Sequence, residues 1–232
     1  MSEQLSVDVV IPALNEERSI GLVLADIPWS RVRRVVVCDN GSTDRTAEVA
    51  RDGGAVVIKA ARRGYGSACL AGLAHLRETG PPDVVVFVDG DYSDFPEETL
   101  DLLRPIEQDG VDMVIGSRTR GGAEPGALLP QAVFGNMLAC FLIRALYGIE
   151  FTDLGPFRAI RWDALEAIQM EDPDFGWTVE MQVKAAKAGL RCAEIPVRYR
   201  KRVGVSKITG TIRGTVLAGH KILWTIFKQY AG

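Results

Sequence analysis

The stretch VVVFVDGDYSD, residues 84–94, constrains this chain more than any other. Val84, Val85, Val86, Phe87 and Val88 follow one another without a polar break. A β-branched and aromatic run of that length predicts a strand buried on both faces, as in the middle of a parallel sheet. The run ends on Asp89, Gly90 and Asp91. Ligands of open α/β sheets bind beyond the carboxyl ends of the strands, which puts the two carboxylates where a substrate is expected. Residues two apart in an extended segment point the same way, and Gly90 lets the backbone approach a ligand closely. Two such carboxylates repel each other and call for a cation. A hard divalent ion fits, Mg²⁺ in particular being shared between one or two carboxylates and substrate phosphates. Taken alone, the same residues also read as an acidic turn that ends a strand.

The flanking pattern alternates strand and helix. Strands are predicted at 7–11, 35–38 and 55–58, with a helix over 16–27 capped by Asn15. A second helix begins near Ser42 or Thr43, after the turn that starts at Asp39. Arg62-Arg63-Gly64-Tyr65-Gly66-Ser67 then opens a helix over 68–77. Free amides at a helix start beside arginines favour an anion, phosphate for preference. No G-x-G-x-x-G follows the first strand and no G-x-x-x-x-G-K-[ST] occurs, so the sheet is nucleotide-binding without being of the dinucleotide or P-loop type. A helix over 97–103 and a strand over 112–118 lead to Arg118.

Beyond Arg118 the pattern predicts a mobile loop at 121–126 and a helix over 128–147 whose apolar face is wider than a monomer's core requires. A strand ending near 160, helices over 162–168 and 178–188, an edge strand over 190–197 and a final amphipathic helix over 211–230 follow. Trp177 and Phe175 read as core residues, with stacking on a sugar as the alternative; His75 and His220 read as packing or surface residues.

The chain is most simply one domain of 232 residues, with 47% hydrophobic composition. Its parts are a nucleotide-binding half (1–118), a second half (119–210) and the C-terminal helix (211–232). Net charge is −3, yet nine of the 27 basic residues and one of the 30 acidic residues, Glu194, lie in 191–232, a basic tail on an acidic body. Nucleic acid is not an expected partner. Cys38, Cys69, Cys140 and Cys192 show no paired spacing and read as reduced residues of a cytosolic protein. The polar start gives no sign of a signal peptide, and no apolar run reaches the 18–20 residues of a membrane span, so membrane contact is expected to be peripheral, at the inner face.

IPALNEE (11–17), VVCDNGSTDRT (36–46), RGYGSACLAGL (63–73), FVDGDYSDFPE (87–97), IGSR (115–118), TDLGPFRAI (152–160), TVEMQVKAAKAG (178–189) and RVGVSKITGT (202–211) occur in the order and spacing of one family. The chain resembles inverting glycosyltransferase family 2, in its dolichol- or polyprenyl-phosphate mannose or glucose synthase-like branch. The resemblance implies a GT-A fold, a mostly parallel Rossmann-like sheet flanked by helices. It also implies a nucleotide-diphosphate sugar donor such as UDP-glucose or GDP-mannose, Mg²⁺ or Mn²⁺, and a polyprenyl phosphate acceptor, with 119–210 as the acceptor-binding half. By the same resemblance Pro12, Asn15, Glu16, Asp39, Gly64, Gly66, Asp89 and Gly90 border the nucleotide sugar, and Asp89 and Asp91 hold the metal. Arg118, Arg158, Arg202, Ser206 and Lys207 meet phosphates of donor and acceptor. Asn40 departs from the pattern, since many relatives carry an acid there.

The chemistry bears on the acceptor. A phosphate monoester is largely dianionic at neutral pH and attacks without a general base, whereas a hydroxyl needs one. Glu180 and Asp153 are the candidate bases, with structural roles as their alternatives. The apolar helices over 128–147 and 211–230, beside the basic run 198–207, suit either a membrane surface or a homodimer. The rival readings are a family member acting on a saccharide or small-molecule hydroxyl, a binding module without turnover, and a nucleotidyltransferase.

Overall fold

The computed structural model describes residues 4–204 and 212–231, so Ser206 and Lys207 lie outside the described residues. Its elements in order are β1 (Val7–Ala13), α1 (Ile20–Asp26), β2 (Arg34–Asp39), α2 (Thr46–Asp52), β3 (Val56–Lys59), α3 (Tyr65–Thr79), β4 (Val84–Phe87), α4 (Thr99–Asp109), β5 (Met113–Ser117), α5 (Arg118–Gly121), α6 (Pro130–Tyr147), β6 (Arg158–Arg161), α7 (Trp162–Ile168), α8 (Trp177–Lys187), β7 (Cys192–Pro196) and α9 (Ile212–Ala231). The strands form one sheet in the order β3-β2-β1-β4-β6-β5-β7.

Alternate residues of each strand feed opposite faces. Val7, Val9 and Ile11 pack with α1 and α4, whereas Val10, Val85 and Phe87 pack with α3, α6, α7 and α8. β4 is wholly buried and central, as its apolar run predicts. Its neighbours differ from a parallel interior, however. β1 runs parallel to it, but β6 pairs antiparallel to both β4 and β5. The run of apolar side chains reports burial on two faces and carries no information on the direction of a neighbour.

Strand order reverses between β1 and β4, the place where open α/β sheets hold ligands. Their pairing stops at Val10↔Phe87, while β1 continues along β2 as far as Ala13↔Asp39. Pro12, which has no amide to donate, is therefore accommodated where β4 has turned away. That divergence opens the cleft.

Asn15 does not cap α1. It stands at φ 53°, its amide donates to Ser42 Oγ at 2.9 Å and its Oδ1 accepts from Thr43 N at 2.8 Å, which ties the turn after β1 to the turn after β2. Residues 16–19 form a turn instead, and α2 starts at Thr46.

At the opposite end of β1 the carboxylate of Asp8, 0% exposed, is gripped by Arg33 at 2.8 Å and Arg34 at 2.6 Å. Removing one partner of a buried ion pair leaves the others uncompensated. Because both guanidiniums retain some contact with water, Asp8→Asn is expected to cost about 3 kcal/mol, at the low end for such pairs. A denaturation midpoint lowered at constant m-value checks it.

Candidate active site

The cleft between β1 and β4 encloses about 240 Å³ and is lined by Pro12, Glu16, Gly64, Asp89, Gly90 and Asp91, among others. A groove of about 250 Å³ continues from Tyr65, Asp89, Arg118 and Arg202 toward Leu128 and Leu129 before α6, Ala132 in its first turn, and Ala218 of α9. Tyr65, Asp89, Phe175 and Arg202 line both, so they mark the junction. Trp177 is core, as expected, with an edge-on contact to Phe87 at 5.9 Å, but Phe175 faces this junction.

Asp89 and Asp91 follow β4 and come together in the cleft. Asp91 is 5% exposed; its Oδ1 accepts from Ser93 N at 2.9 Å and Ser93 Oγ at 2.5 Å, and its Oδ2 pairs with Arg202 at 2.6 Å. Burial opposes charge on Arg202, but the surrounding groups, Asp91 first and then Tyr199 and Asp89, together outweigh it and raise the guanidinium's pKa. Asp89 Oδ1 accepts from the Tyr65 hydroxyl at 2.9 Å. Burial first, and then the charge of Asp91, push Asp89 up to about 7. Asp94, 1% exposed, is held well above the usual carboxylate range by burial and by the same two neighbours.

Among the described residues no three His, Cys, Asp or Glu side chains are grouped to hold a metal. Two hard carboxylates in an open cleft nevertheless suit an ion that takes its other ligands from substrate phosphates and water. The residues present fit that group.

The segment 198–203 crosses the acidic turn. Arg200 N donates to Ser93 O and Val203 N to Asp91 O, both at 2.9 Å. The guanidinium of Arg200 lies over the rings of Tyr92 and Phe95, 3.6 and 3.8 Å from their centroids, and Arg198 pairs with Glu97 and Glu98. The basic run therefore divides: Arg198 and Arg200 fasten the backbone, and Arg202 enters the site.

Arg118 lines the groove with Asp153 behind it. Asp153, 1% exposed, accepts from Arg118 Nε at 2.8 Å, from its NH2 at 2.7 Å and from its backbone N at 2.8 Å. Burial works against charge on Arg118, but these bonds outweigh it and its pKa lies above the ordinary value. The guanidinium also stacks on Tyr199, 5.0 Å from the ring centroid. Asp153 thus orients the arginine and is not presented to an acceptor.

Three further expectations change. Arg158 meets no cleft: it is 0% exposed and its guanidinium donates to the carbonyls of Leu154, Gly155 and Thr178, with burial lowering its pKa to about 10. Glu180 is 2% exposed, accepts from the amides of Glu171 and Asp172 and pairs with Lys184 at 2.9 Å. It fixes the 171–175 loop and cannot act as base toward the groove. Asp39 accepts from Ser42 N at 2.9 Å at the end of β2 and does not line the cleft, where its neighbour Asn40 does.

The glycine-rich loop is also not a phosphate cradle. The amide of Gly64 donates to Asn40 Oδ1 at 2.8 Å, that of Gly66 to Asp174 O at 3.3 Å and that of Ser67 to Pro173 O at 2.8 Å, so the start of α3 is already bonded to protein. Tyr65 had no signal in spacing, and for Phe175 the sequence favoured the core over a sugar; the packing of the 171–175 loop on α3 brings both to the junction.

The chain has recognisable relatives. The sequence profile of Glycosyl transferase family 2 matches residues 8–168. A dolichyl-phosphate hexose transferase of Haloferax volcanii is 38% identical, over 86% of this chain and 85% of that protein. An undecaprenyl-phosphate mannosyltransferase of Micrococcus luteus is 31% identical, over 96% of this chain and 95% of its own. Among solved structures, glucosyl-3-phosphoglycerate synthase of Mycobacterium tuberculosis, in complex with Mn²⁺, UDP and phosphoglyceric acid, superposes with a TM-score of 0.77 at 23% identity, over 97% of this chain and 78% of that one. That likeness bears on the fold alone.

The raised pKa of Asp89 sets a pH dependence in the absence of divalent cations. The folded chain holds this proton between the ordinary carboxylate value of 3.8 and about 7, so the group's contribution to stability is full below that window and is lost as pH rises through it. Asp89→Asn is expected to flatten the decline in denaturation midpoint between pH 5 and pH 8; an unchanged slope in the variant overturns the assignment. With its GT-A sheet, its paired acids at the end of β4 and its match over most of the chain, the protein belongs to glycosyltransferase family 2.

Proposed function

We propose that this glycosyltransferase moves a hexose, glucose or mannose, from a nucleoside-diphosphate sugar to a polyprenyl phosphate at a membrane surface, with inversion at the sugar carbon. The observation that carries the reading is the groove that leaves Asp89, Arg118 and Arg202 and runs between the start of α6 and α9. Those helices expose Phe134, Met137 and Phe141 and, on α9, Leu217, Trp224 and Phe227. A phosphate head between two arginines with its chain leaving along apolar helices matches that layout. The names of the two polyprenyl-phosphate relatives support it.

In this reading Asp89 and Asp91 hold a divalent metal, Mg²⁺ or Mn²⁺, which when bound offsets charge growing on the leaving diphosphate. Pro12 and Glu16 border the nucleoside side of the cleft. Arg118, oriented by Asp153, grips the acceptor phosphate, since a guanidinium pinned on one edge keeps its other donors in a set direction. An acceptor oxygen attacks the sugar carbon while the bond from that carbon to the diphosphate breaks, the electron pair leaving with the diphosphate. A phosphate dianion needs no base for this. The hydroxyl-acceptor alternative relied on Glu180 or Asp153, and both are buried in structural bonds.

The test is transfer of labelled hexose into the organic phase, with Mg²⁺ or Mn²⁺, a panel of nucleotide sugars and a short polyprenyl phosphate. Arg202→Ala is expected to raise the acceptor KM at least tenfold and to alter the donor KM less, whereas an effect on the donor alone counts against the assignment.

No helix among the described residues is long and apolar enough to cross a membrane, so contact through α6 and α9 is proposed as peripheral. Phe134→Glu together with Trp224→Glu is expected to abolish co-sedimentation with anionic vesicles. Wild-type protein that stays off vesicles and sediments as a dimer would instead make this face a homodimer surface.

A further inference from the structure

The amides of Gly64 and Gly66 are already bonded to protein, and the two glycines answer to a further constraint. A Cβ at Gly64 would lie 2.2 Å from Pro173 O, and one at Gly66 would lie 1.9 Å from Asp172 O, so neither position admits a side chain while the 172–174 backbone stays where it is. That backbone is in turn held by Glu180, which accepts from the amides of Glu171 and Asp172, and by Lys221 of α9, which pairs with Asp172 at 2.9 Å. The first turn of α3 is thereby pressed against a fixed support. What the turn delivers into the site is the side chain between the two glycines.

We propose that Tyr65 is a positioning residue for Asp89: its hydroxyl, set at the junction of cleft and groove by the flanking glycines, fixes the orientation of the carboxylate that takes the donor's metal. This rests on the metal role proposed above for Asp89. The bond from Tyr65 to Asp89 Oδ1 is 2.9 Å. It occupies one direction around one oxygen, restrains rotation of the carboxylate and leaves the rest of its lone pairs to a cation. Asp91 is similarly set by Ser93 N and Oγ, so each acid has a neutral donor that orients it without replacing the metal. A phenol carries its proton throughout the physiological range, so the group is a donor there. Hydrogen-bond partners of metal ligands are worth about 10- to 100-fold in metal affinity.

The experiment is calorimetric titration of wild type, Tyr65→Phe and Asp89→Asn with uridine and guanosine diphosphates, each with Mn²⁺ and again in EDTA. The ratio of the two dissociation constants is the metal-dependent part of the affinity. Tyr65→Phe removes one oxygen and keeps the ring, and thermal melting checks that the fold is intact. The expected result is a metal-dependent ratio about tenfold smaller in Tyr65→Phe, an unchanged constant in EDTA, and loss of the ratio in Asp89→Asn. A tyrosine that serves only packing would leave the ratio unchanged. If wild type and Asp89→Asn show the ratio and its loss while Tyr65→Phe matches wild type, the positioning role is overturned and the metal role stands. If wild type shows no metal dependence with either nucleotide, both are overturned.

Discussion

Two carboxylates at the end of a strand that is buried on both faces must be neutralised, and much of the molecule is arranged around that requirement. Desolvation and mutual repulsion raise the energy of the charged pair, and Asp89 responds by holding its proton up to about 7. Asp91 is neutralised by Arg202. The arginine arrives from the far end of the chain because the segment 198–203 is bonded across the acidic turn and fastened by Arg198 and Arg200 to aromatic and acidic groups. The C-terminal part of the protein is thus tied to the strand that opens the site, and the same cation is available to meet a phosphate.

A second chain of dependence runs through the 171–175 loop. Glu180 bonds its amides, α9 reaches it through Lys221, and its carbonyls accept from the first amides of α3. Glu180 therefore contributes at a distance, through the wall that bears Phe175 and supports Tyr65, and not by moving a proton. Asp153 is comparable. An acid buried at 1% exposure with three bonds to one arginine acts by fixing that arginine. In both cases the carboxylate sits one layer behind the group that faces the groove.

Much of this was legible beforehand. The alternation of strand and helix, the central buried strand and the clustering of Asp89, Gly90 and Asp91 at its end follow from apolar periodicity and from the place where such sheets bind ligands. The wide apolar face of α6 was legible too, and the structure leaves Phe134, Met137 and Phe141 exposed on it. Errors clustered where a polar residue had two plausible partners. Asn15 bonds across to the turn after β2 and does not cap α1. Arg158 satisfies carbonyls in the core.

The sequence by itself determined which elements form and which acids end the central strand, because local hydrophobic periodicity and turn chemistry act over a few residues. Only the tertiary structure decided the direction of β6, the burial of Glu180, Asp153 and Arg158, and the arrival of Tyr65, Phe175 and Arg202 at one junction. Those outcomes depend on contacts between segments as far apart as residues 91 and 202, or 66 and 172. Spacing along the chain does not encode which of several hydrogen-bond partners a buried polar side chain meets; packing selects it, since an unpartnered polar group in the interior costs about 1–3 kcal/mol.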